Sequence, residues 1–170
     1  MKFTKLCLFL AAFGALVLSS HGGALAAGSA SANLGVSATV NNNCSITTVA
    51  VTFSPYDPLS GTADDTTGGS VTITCTKNSA PTIGLGLGLY ASGAQANMSD
   101  GGSPANLLMY ALYKDAPGGA AWGNSGAALL TPVVTPSKAP RTFPVYGRIP
   151  AGQDVPSGTY NDTVVATVNF

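Results

Sequence analysis

The chain has 170 residues, 45% hydrophobic and only 8% charged, and its seven basic and seven acidic side chains cancel. No basic patch stands out, which argues against a nucleic-acid partner. All seven acidic residues are aspartates and the only histidine is His21, so the residue types that catalyse most reactions are scarce. The length allows one domain with a sizeable core.

Residues 1–26 have the pattern of a secretory signal peptide. Two lysines within the first five residues precede an apolar run over residues 6–18, and Ala24-Leu25-Ala26 is a small-x-small cleavage site. An N-terminal membrane anchor is the alternative, but the apolar run is short for a bilayer span. We therefore predict an exported chain that begins at Ala27 and has lost His21.

Two cysteines remain after this cleavage, Cys44 and Cys75. In an exported chain such a pair is expected to form a disulfide. A zinc site is the alternative, but it would need further nitrogen or sulfur ligands, and no histidine and no third thiol remain. We predict the disulfide, with no metal and no cofactor.

The rest of the chain has the pattern of an all-β protein, because short runs of Val, Thr, Ile and Leu alternate with clusters of Gly, Pro, Asn and Asp. Seven strands with turn signals at this spacing predict an immunoglobulin-like β-sandwich. The predicted strands are residues 32–40, 48–54, 70–76, 82–90, 107–113, 141–148 and 159–170. Loops are predicted at 55–69, 91–104 and 115–126, and an irregular edge at 127–140.

The GLGLGL stretch at residues 84–89 is not a nucleotide-binding loop, since it lies inside a predicted strand and opens no helix. Its alternation predicts that Leu85, Leu87 and Leu89 face the core. The glycines then leave the opposite face bare.

Nothing in the sequence predicts an enzyme. Asp64 and Asp65 are the only adjacent carboxylates, and they lie in a Gly/Thr-rich segment where aspartates commonly bond the backbone. General acid–base catalysis needs a desolvated carboxyl group with a perturbed pKa, and no surrounding pattern marks one. A calcium site in the 57–65 loop lacks a ligand pattern.

The last predicted strand has a clear core face. Its apolar positions are Val164, Ala166, Val168 and Phe170.

Gly158 and Tyr160, just before this strand, match the tyrosine corner that opens strand F of immunoglobulin-like domains. The match is partial, because the aspartate usual four residues before the tyrosine is Pro156 here. A strand G should follow, and no residues for it follow in this sequence. We predict a sandwich that lacks its final strand; a permuted, complete sandwich is the alternative.

A long uncharged stretch before Cys44 also alternates with period two. Its apolar positions are Ala32, Leu34, Val36, Ala38 and Val40. This stretch is either the first strand of its own sheet or a donor strand that fills the gap in another copy, a form of β-augmentation. The donor hypothesis explains the missing strand and the spare strand together.

Several motifs resemble the spore coat protein U domain family, which includes subunits of archaic, Csu-type chaperone–usher pili. They are YDPLSGT at 56–62, VTITCT at 71–76, YALYKDA at 110–116, Trp122-Gly123, and VYGRIPAGQDVPSGTYNDTV at 145–164. The resemblance covers nearly the whole chain that follows the signal peptide.

The resemblance implies an incomplete immunoglobulin-like pilin domain at 44–170, preceded by a donor-strand extension at 27–43. It implies export to the periplasm, where a pilus chaperone lends the subunit a strand. An outer-membrane usher then exchanges that strand for the extension of another copy or a related subunit. The product is a cell-surface fibre for adhesion and biofilm formation.

By the same resemblance, Cys44 and Cys75 form the family's disulfide, and the strand ending at Phe170 borders the acceptor groove and contacts the chaperone. Two alternatives stay open. The assembly is a spore coat rather than a pilus, or the chain is a secreted binding module that closes its own fold.

Overall fold

The computed structural model describes residues 27–170, so the predicted signal peptide lies outside the described residues. The chain divides after Ala38 into two units, and the second unit is Thr39–Phe170. Residues 27–38 form no strand and their side chains are exposed. Within the described residues no helix has the length and apolar character needed to cross a membrane.

The second unit is a sandwich of two antiparallel sheets, which confirms the predicted all-β, immunoglobulin-like class. The first sheet has five strands in the order β1-β2-β6-β5-β4, and the second pairs β3 with β7. The strands are β1 (Cys44–Val49), β2 (Asp64–Cys75), β3 (Thr82–Leu85), β4 (Ala96–Ser99), β5 (Leu107–Tyr113), β6 (Arg141–Ile149) and β7 (Ala166–Asn169).

The core lies between the two sheets and follows the period-two pattern of the strands. In β2 the side chains of Val71, Ile73 and Cys75 are buried, while the residues between them are half-buried. Trp122 is buried against these side chains, and its indole nitrogen donates to the Ile83 carbonyl oxygen at 3.0 Å. A buried indole N–H needs such a partner, so this bond fixes the segment that contains Trp122 against β3.

The predicted disulfide is confirmed. Cys44 and Cys75 are directly opposite each other in the β1–β2 ladder, and their sulfurs are bonded at 2.03 Å. The bond therefore ties the first residue of the first strand to the last residue of its partner.

The strand prediction was right where the strand's partners lie within the sandwich. β5 has the predicted bounds, and β6 extends one residue beyond the prediction, to Ile149. β2 begins six residues earlier than predicted, because a bulge between Thr66 and Gly69 carries its ladder with β6 back to Asp64. The irregular edge at 127–140 is confirmed, apart from a short 3-10 turn at Gly126–Ala128.

Four strand predictions were wrong in extent or existence. Residues 32–40 form no strand, and the strand predicted at 48–54 instead ends at Val49. The strand predicted at 159–170 forms only at Ala166–Asn169. Strands need a hydrogen-bonded neighbour, and all three segments lack one along most of their length in the described chain. The fourth error, at 82–90, has a different cause.

β3 ends at Leu85 because the chain turns away from the sheet after Gly86. Gly88 has a φ of +88°, which favours glycine, and Leu87 and Leu89 are exposed rather than in the core. The loop predicted at 91–104 contains β4, which sequence analysis missed. Its buried Asn97 interrupts the apolar pattern, and the Asn97 side-chain amide donates to the Tyr90 carbonyl oxygen at 3.1 Å.

Candidate functional site

An open cleft of about 890 Å³ lies between the two sheets on one side of the sandwich. One wall is formed by residues 48–56, which are the end of β1 and the chain that follows it. The other is formed by residues 155–164, which lead into β7, and by Ala166 within it. Side chains of β2, β5 and β6 form the floor; among them are Val71, Leu108, Tyr110, Leu112, Val145 and Ile149.

The first wall packs on the five-stranded sheet at two glycines. A Cβ at Gly69 would collide with the Val51 side chain, and a Cβ at Gly147 would lie 2.7 Å from the Phe53 ring. Only the absence of a side chain at these positions lets the wall lie so close to β2 and β6. Val51 and Phe53 are thereby held at the cleft.

Two hydrogen bonds fix Tyr56 at the end of this wall. Its hydroxyl donates to the Pro150 carbonyl oxygen and accepts from the Gln153 backbone N–H, both at 3.0 Å. The Gln153 side chain in turn bonds both backbone groups of Met109 in β5, at 2.7 and 2.9 Å. The YDPLSGT motif is thus joined by Tyr56 to the IPAGQ part of the longer motif.

The second wall begins at a tyrosine corner. The Tyr160 hydroxyl donates to the Pro156 carbonyl oxygen at 2.9 Å, four residues upstream. Gly158 and Tyr160, the two residues predicted for this corner, both line the cleft. The bond bends the chain just before it enters the sandwich.

The four residues predicted for the groove separate in the structure. Val164 and Ala166 line the cleft. Val168 packs against the core beyond its end, and Phe170 is about half exposed. Sequence analysis missed the opposite wall, although the motif containing Tyr56 marked part of it.

Among the residues that line the cleft, Asp162 alone carries a carboxyl group. Asp162 lines the cleft, and its Oδ2 accepts a bond from the Tyr110 hydroxyl at 2.7 Å. Its Oδ1 accepts from the backbone N–H groups of Leu89 and Thr163, at 2.8 and 2.7 Å. Burial and then the bond to Asp162 raise the pKa of Tyr110 well above its ordinary value, so its hydroxyl stays a proton donor.

The strands beside the cleft each have a free edge within the described chain. β1 is an edge strand of the five-stranded sheet, and β7 pairs with β3 alone. Cα atoms of β1 and β7 approach within 8 Å without forming a ladder. Residues 50–57 and 162–165, which continue these strands along the cleft, lie outside any strand. Such free backbone is able to pair with an added strand.

The adjacent residues Asp64 and Asp65 do not form a paired-carboxylate site, because their side chains have different surroundings. Arg148 binds both carboxylate oxygens of Asp65, at 2.7 and 2.8 Å, and these bonds lower the pKa of Asp65. Burial raises the pKa of Asp64, and the neighbouring charge of Asp65 raises it further. Within residues 27–170 no group of three or more His, Cys, Asp or Glu side chains is placed to hold a metal ion.

The predicted donor positions are among the most exposed apolar side chains of the described chain. Leu34 is 88% exposed, Val36 is 89% exposed and Val40 is 82% exposed. Aliphatic side chains presented singly are common at protein surfaces, but a continuous alternating row is an interaction feature.

Comparison with known proteins identifies the family. The Spore Coat Protein U domain matches residues 30–167, most of the chain. The chain belongs to this family. Four of the five motifs that suggested it contribute residues to the cleft, at the end of the first wall, in the tyrosine corner and on the floor.

Similar proteins include one curated relative and one solved structure. Protein U of Myxococcus xanthus is 42% identical over 158 residues, covering 85% of this chain and 87% of that protein. A solved structure with a TM-score of 0.55 and 26% identity is the CsuC–CsuE chaperone–tip adhesion subunit pre-assembly complex from the archaic chaperone–usher Csu pili of Acinetobacter baumannii. That match covers 78% of this chain but only 41% of the other.

Proposed function

We propose that this protein is a non-enzymatic structural subunit of a chaperone–usher fibre, and that its cleft accepts a β-strand from another copy. The observation that carries the proposal is the cleft itself, which has apolar walls and two free strand edges. Family membership and the similarity to a Csu chaperone–subunit complex support it. Such a complex indicates a dedicated periplasmic chaperone, and we extend this to an outer-membrane usher.

The N-terminal extension has the length and pattern that the cleft requires. The first wall leaves eight residues outside a strand, at 50–57, and the second leaves four, at 162–165; residues 32–40 would provide a strand of nine residues. Alternate residues of a strand point to opposite faces, so Leu34, Val36, Ala38 and Val40 would enter the cleft together. The opposite face, with Ser37 and Thr39, would remain in water.

The free energy of such an insertion is large. Burying one Leu or Val side chain contributes roughly 1.5–3 kcal/mol, as an upper estimate. Backbone bonds to the free edges add about 0.5–1.5 kcal/mol each. An unfilled apolar cleft with two free edges promotes aggregation, so we expect a chaperone to cover it before assembly.

Donation from one copy to the next is a heterologous contact, which builds an open filament. We assign residues 27–43 to the extension and 44–170 to the pilin domain. We place the subunit in the periplasm during transit and then in a surface fibre for adhesion and biofilm formation. A coat is the second candidate, favoured by the family's description. Immunogold labelling would distinguish fibres that leave the cell from a layer that encloses it.

The test is to replace single extension residues on one face only. We expect Leu34→Asp or Val36→Asp to abolish polymer formation, because a carboxylate would be buried without a partner in the cleft. Asn33→Asp is the matched control, since the same charge then lies on the solvent face. Each full-length variant is co-expressed with the chaperone, and assembled fibres are measured.

The variants should still co-purify with the chaperone, since the proposed chaperone site is the cleft and not the extension. If Leu34→Asp and Asn33→Asp assemble equally well, the extension is not the donor. If both lose chaperone binding, the substitutions have damaged the subunit itself.

A further inference from the structure

We propose that Asp162 sets the register of the inserted strand, and that Ala38 of a second copy lies at its level in the cleft. The inference rests on the proposed function and goes beyond it, since it assigns a position to each donor residue. It begins from one anomaly: a carboxyl group occurs in a row of apolar side chains.

The row is the inward face of the second wall. It consists of Tyr160, Asp162, Val164 and Ala166, all of which line the cleft. Three hydrogen bonds hold the Asp162 carboxyl group in place, and a Cβ at Gly88 would collide with it. It is therefore a fixed feature of the site and not a surface side chain that can turn away from an incoming strand.

Two apolar clusters line the cleft and are called its compartments here; along the second wall Asp162 lies between Tyr160, which packs with one, and Ala166, which packs with the other, while Val164 packs with both. Towards β7 the compartment is aliphatic and includes Val51, Leu85, Val145 and Ala166. Towards Tyr160 the compartment is rich in aromatic side chains, with Phe53, Tyr56 and Tyr110, and it also contains aliphatic residues such as Leu108 and Met98. It is called the aromatic compartment below. An inserted strand must pass both compartments and the carboxyl group between them.

The level of Asp162 favours a small side chain. Oδ2 has one protein donor, the Tyr110 hydroxyl, and retains capacity for another hydrogen bond. A large apolar side chain pressed against it would remove its water without replacing the bond, which costs free energy. An alanine leaves space for a bridging water molecule. Among the proposed donor positions only Ala32 and Ala38 are this small.

Placing Ala38 there in an antiparallel strand fills both compartments. Val36 then lies at the level of Val164, and Leu34 lies at the level of Ala166, where a large side chain meets a small one. Val40 lies at the level of Tyr160. Antiparallel pairing would also continue the β3–β7 sheet in its existing sense.

The other placements leave a compartment unfilled or polar. With Ala38 at Asp162 in a parallel strand, Asn42 would enter the aliphatic compartment. With Ala32 at Asp162, an antiparallel strand would bring Gly28 to that compartment, and a parallel strand would bring only Ala30 to the aromatic one. The antiparallel Ala38 register alone puts branched apolar side chains on both sides.

A cysteine pair tests this register directly. Ser37 of one copy would be opposite Thr163 of the next, on the solvent face of the new ladder. The mature Ser37→Cys/Thr163→Cys protein, co-expressed with chaperone, should form a ladder that survives heating in detergent without reductant. Ser37→Cys/Val165→Cys is the matched control. Its second cysteine lies two residues further along the second wall, and this pair should cross-link at least tenfold less.

A second measurement tests whether the donor residue at the level of Asp162 must be small. Ala38→Leu should reduce fibre yield at least tenfold. Val36→Leu, which enlarges a donor side chain that lies in the aliphatic compartment, should retain assembly. Adding Asp162→Ala to Ala38→Leu should restore part of the yield, because the desolvated carboxyl group is gone. Chaperone co-purification and the thermal unfolding midpoint identify variants that fail to fold.

The outcomes distinguish a failure of the proposed function from a failure of the proposed register. If the unmodified chain forms no heat-sensitive polymer, the proposed function fails. If the chain polymerises but the displaced cysteine pair cross-links instead, or Ala32→Leu blocks assembly and Ala38→Leu does not, the register is wrong while the function stands. Cross-linking of the Ser37–Thr163 pair together with the Ala38 size limit supports the inference.

Discussion

Two tyrosine hydroxyls fix the ends of the cleft walls, and they differ in the number of bonds they make. The Tyr160 hydroxyl donates one bond, to Pro156. The Tyr56 hydroxyl donates to Pro150 and also accepts from the Gln153 backbone N–H. The wall that contains Tyr56 therefore depends more strongly on a single hydroxyl.

This difference predicts unequal effects of the same substitution. Tyr160→Phe should lower the free energy of unfolding by about 0.5–1.5 kcal/mol, the net contribution of one hydrogen bond. Tyr56→Phe should cost about 1–3 kcal/mol, because it leaves the part-buried Gln153 N–H without its partner. Urea unfolding followed by tryptophan fluorescence measures both. Equal losses would show that the Gln153 bond contributes nothing.

The neighbouring Asp64 and Asp65 should affect stability in opposite directions with pH. Burial raises the pKa of Asp64, and one of its oxygens is buried without a hydrogen-bond partner. The contribution of Asp64 to folding stability is therefore present at low pH, where the carboxyl group is protonated, and is lost as the pH rises through its raised pKa. The bond to Arg148 lowers the pKa of Asp65, so its contribution is present above the ordinary value near 3.8 and lost at lower pH.

We therefore expect Asp64→Asn to raise the thermal unfolding midpoint at pH 7, and Asp65→Asn to lower it slightly, since the Asp65–Arg148 pair is substantially exposed. Both differences from the unmodified protein should shrink as the pH falls below 4. Calorimetry from pH 3 to pH 7 measures them. A lower midpoint for Asp64→Asn at pH 7 would contradict the assignment of an unfavourably buried carboxyl group.

At the scale of elements, a strand was predictable where its partner is within the same unit. β5 is a continuous apolar run that also fitted a helix, yet it is paired on both sides, and the bounds predicted for it as a strand were correct. β7 was predicted too long for the opposite reason: residues 162–165 alternate just as clearly but have no ladder in the described chain. The pattern in a sequence reports which face is apolar, but it does not report whether a neighbour is present.

The contacts across the cleft were less predictable than the apolar face of the second wall. Val164 and Ala166 were visible as one face of a strand. The bond between Tyr110 and Asp162 joins residues 52 positions apart, and the close approach of Gly88 to Asp162 depends on a left-handed turn. Neither a long-range bond nor a turn of that kind follows from local periodicity.

The disulfide between β1 and β2 is the main covalent constraint on the first wall, and its loss should be costly. It closes a loop with a sequence separation of 31 residues, which corresponds to about 3–4 kcal/mol in the chain-entropy account. Cys44→Ser/Cys75→Ser should lower the free energy of unfolding by about that amount. Denaturant unfolding of the mature domain measures it, and a loss below about 1 kcal/mol would contradict this account.

At the scale of the whole molecule, the exposed row in the extension and the open cleft are complementary. The extension presents Leu34, Val36 and Val40 to solvent, and the cleft presents apolar walls and free edges. Each feature alone promotes aggregation, and in the proposed assembly the two together would give a directed, head-to-tail fibre. This complementarity is the central claim of the account.

The most direct test compares heated and unheated samples in detergent gels. The mature chain is exported to a periplasm with a candidate chaperone, alongside a form that lacks residues 27–40. We predict a ladder of polymers that collapses on heating and is absent from the truncated form. A protease-resistant monomer without a ladder, for the mature chain with and without chaperone, would show that the cleft does not accept a strand from another copy.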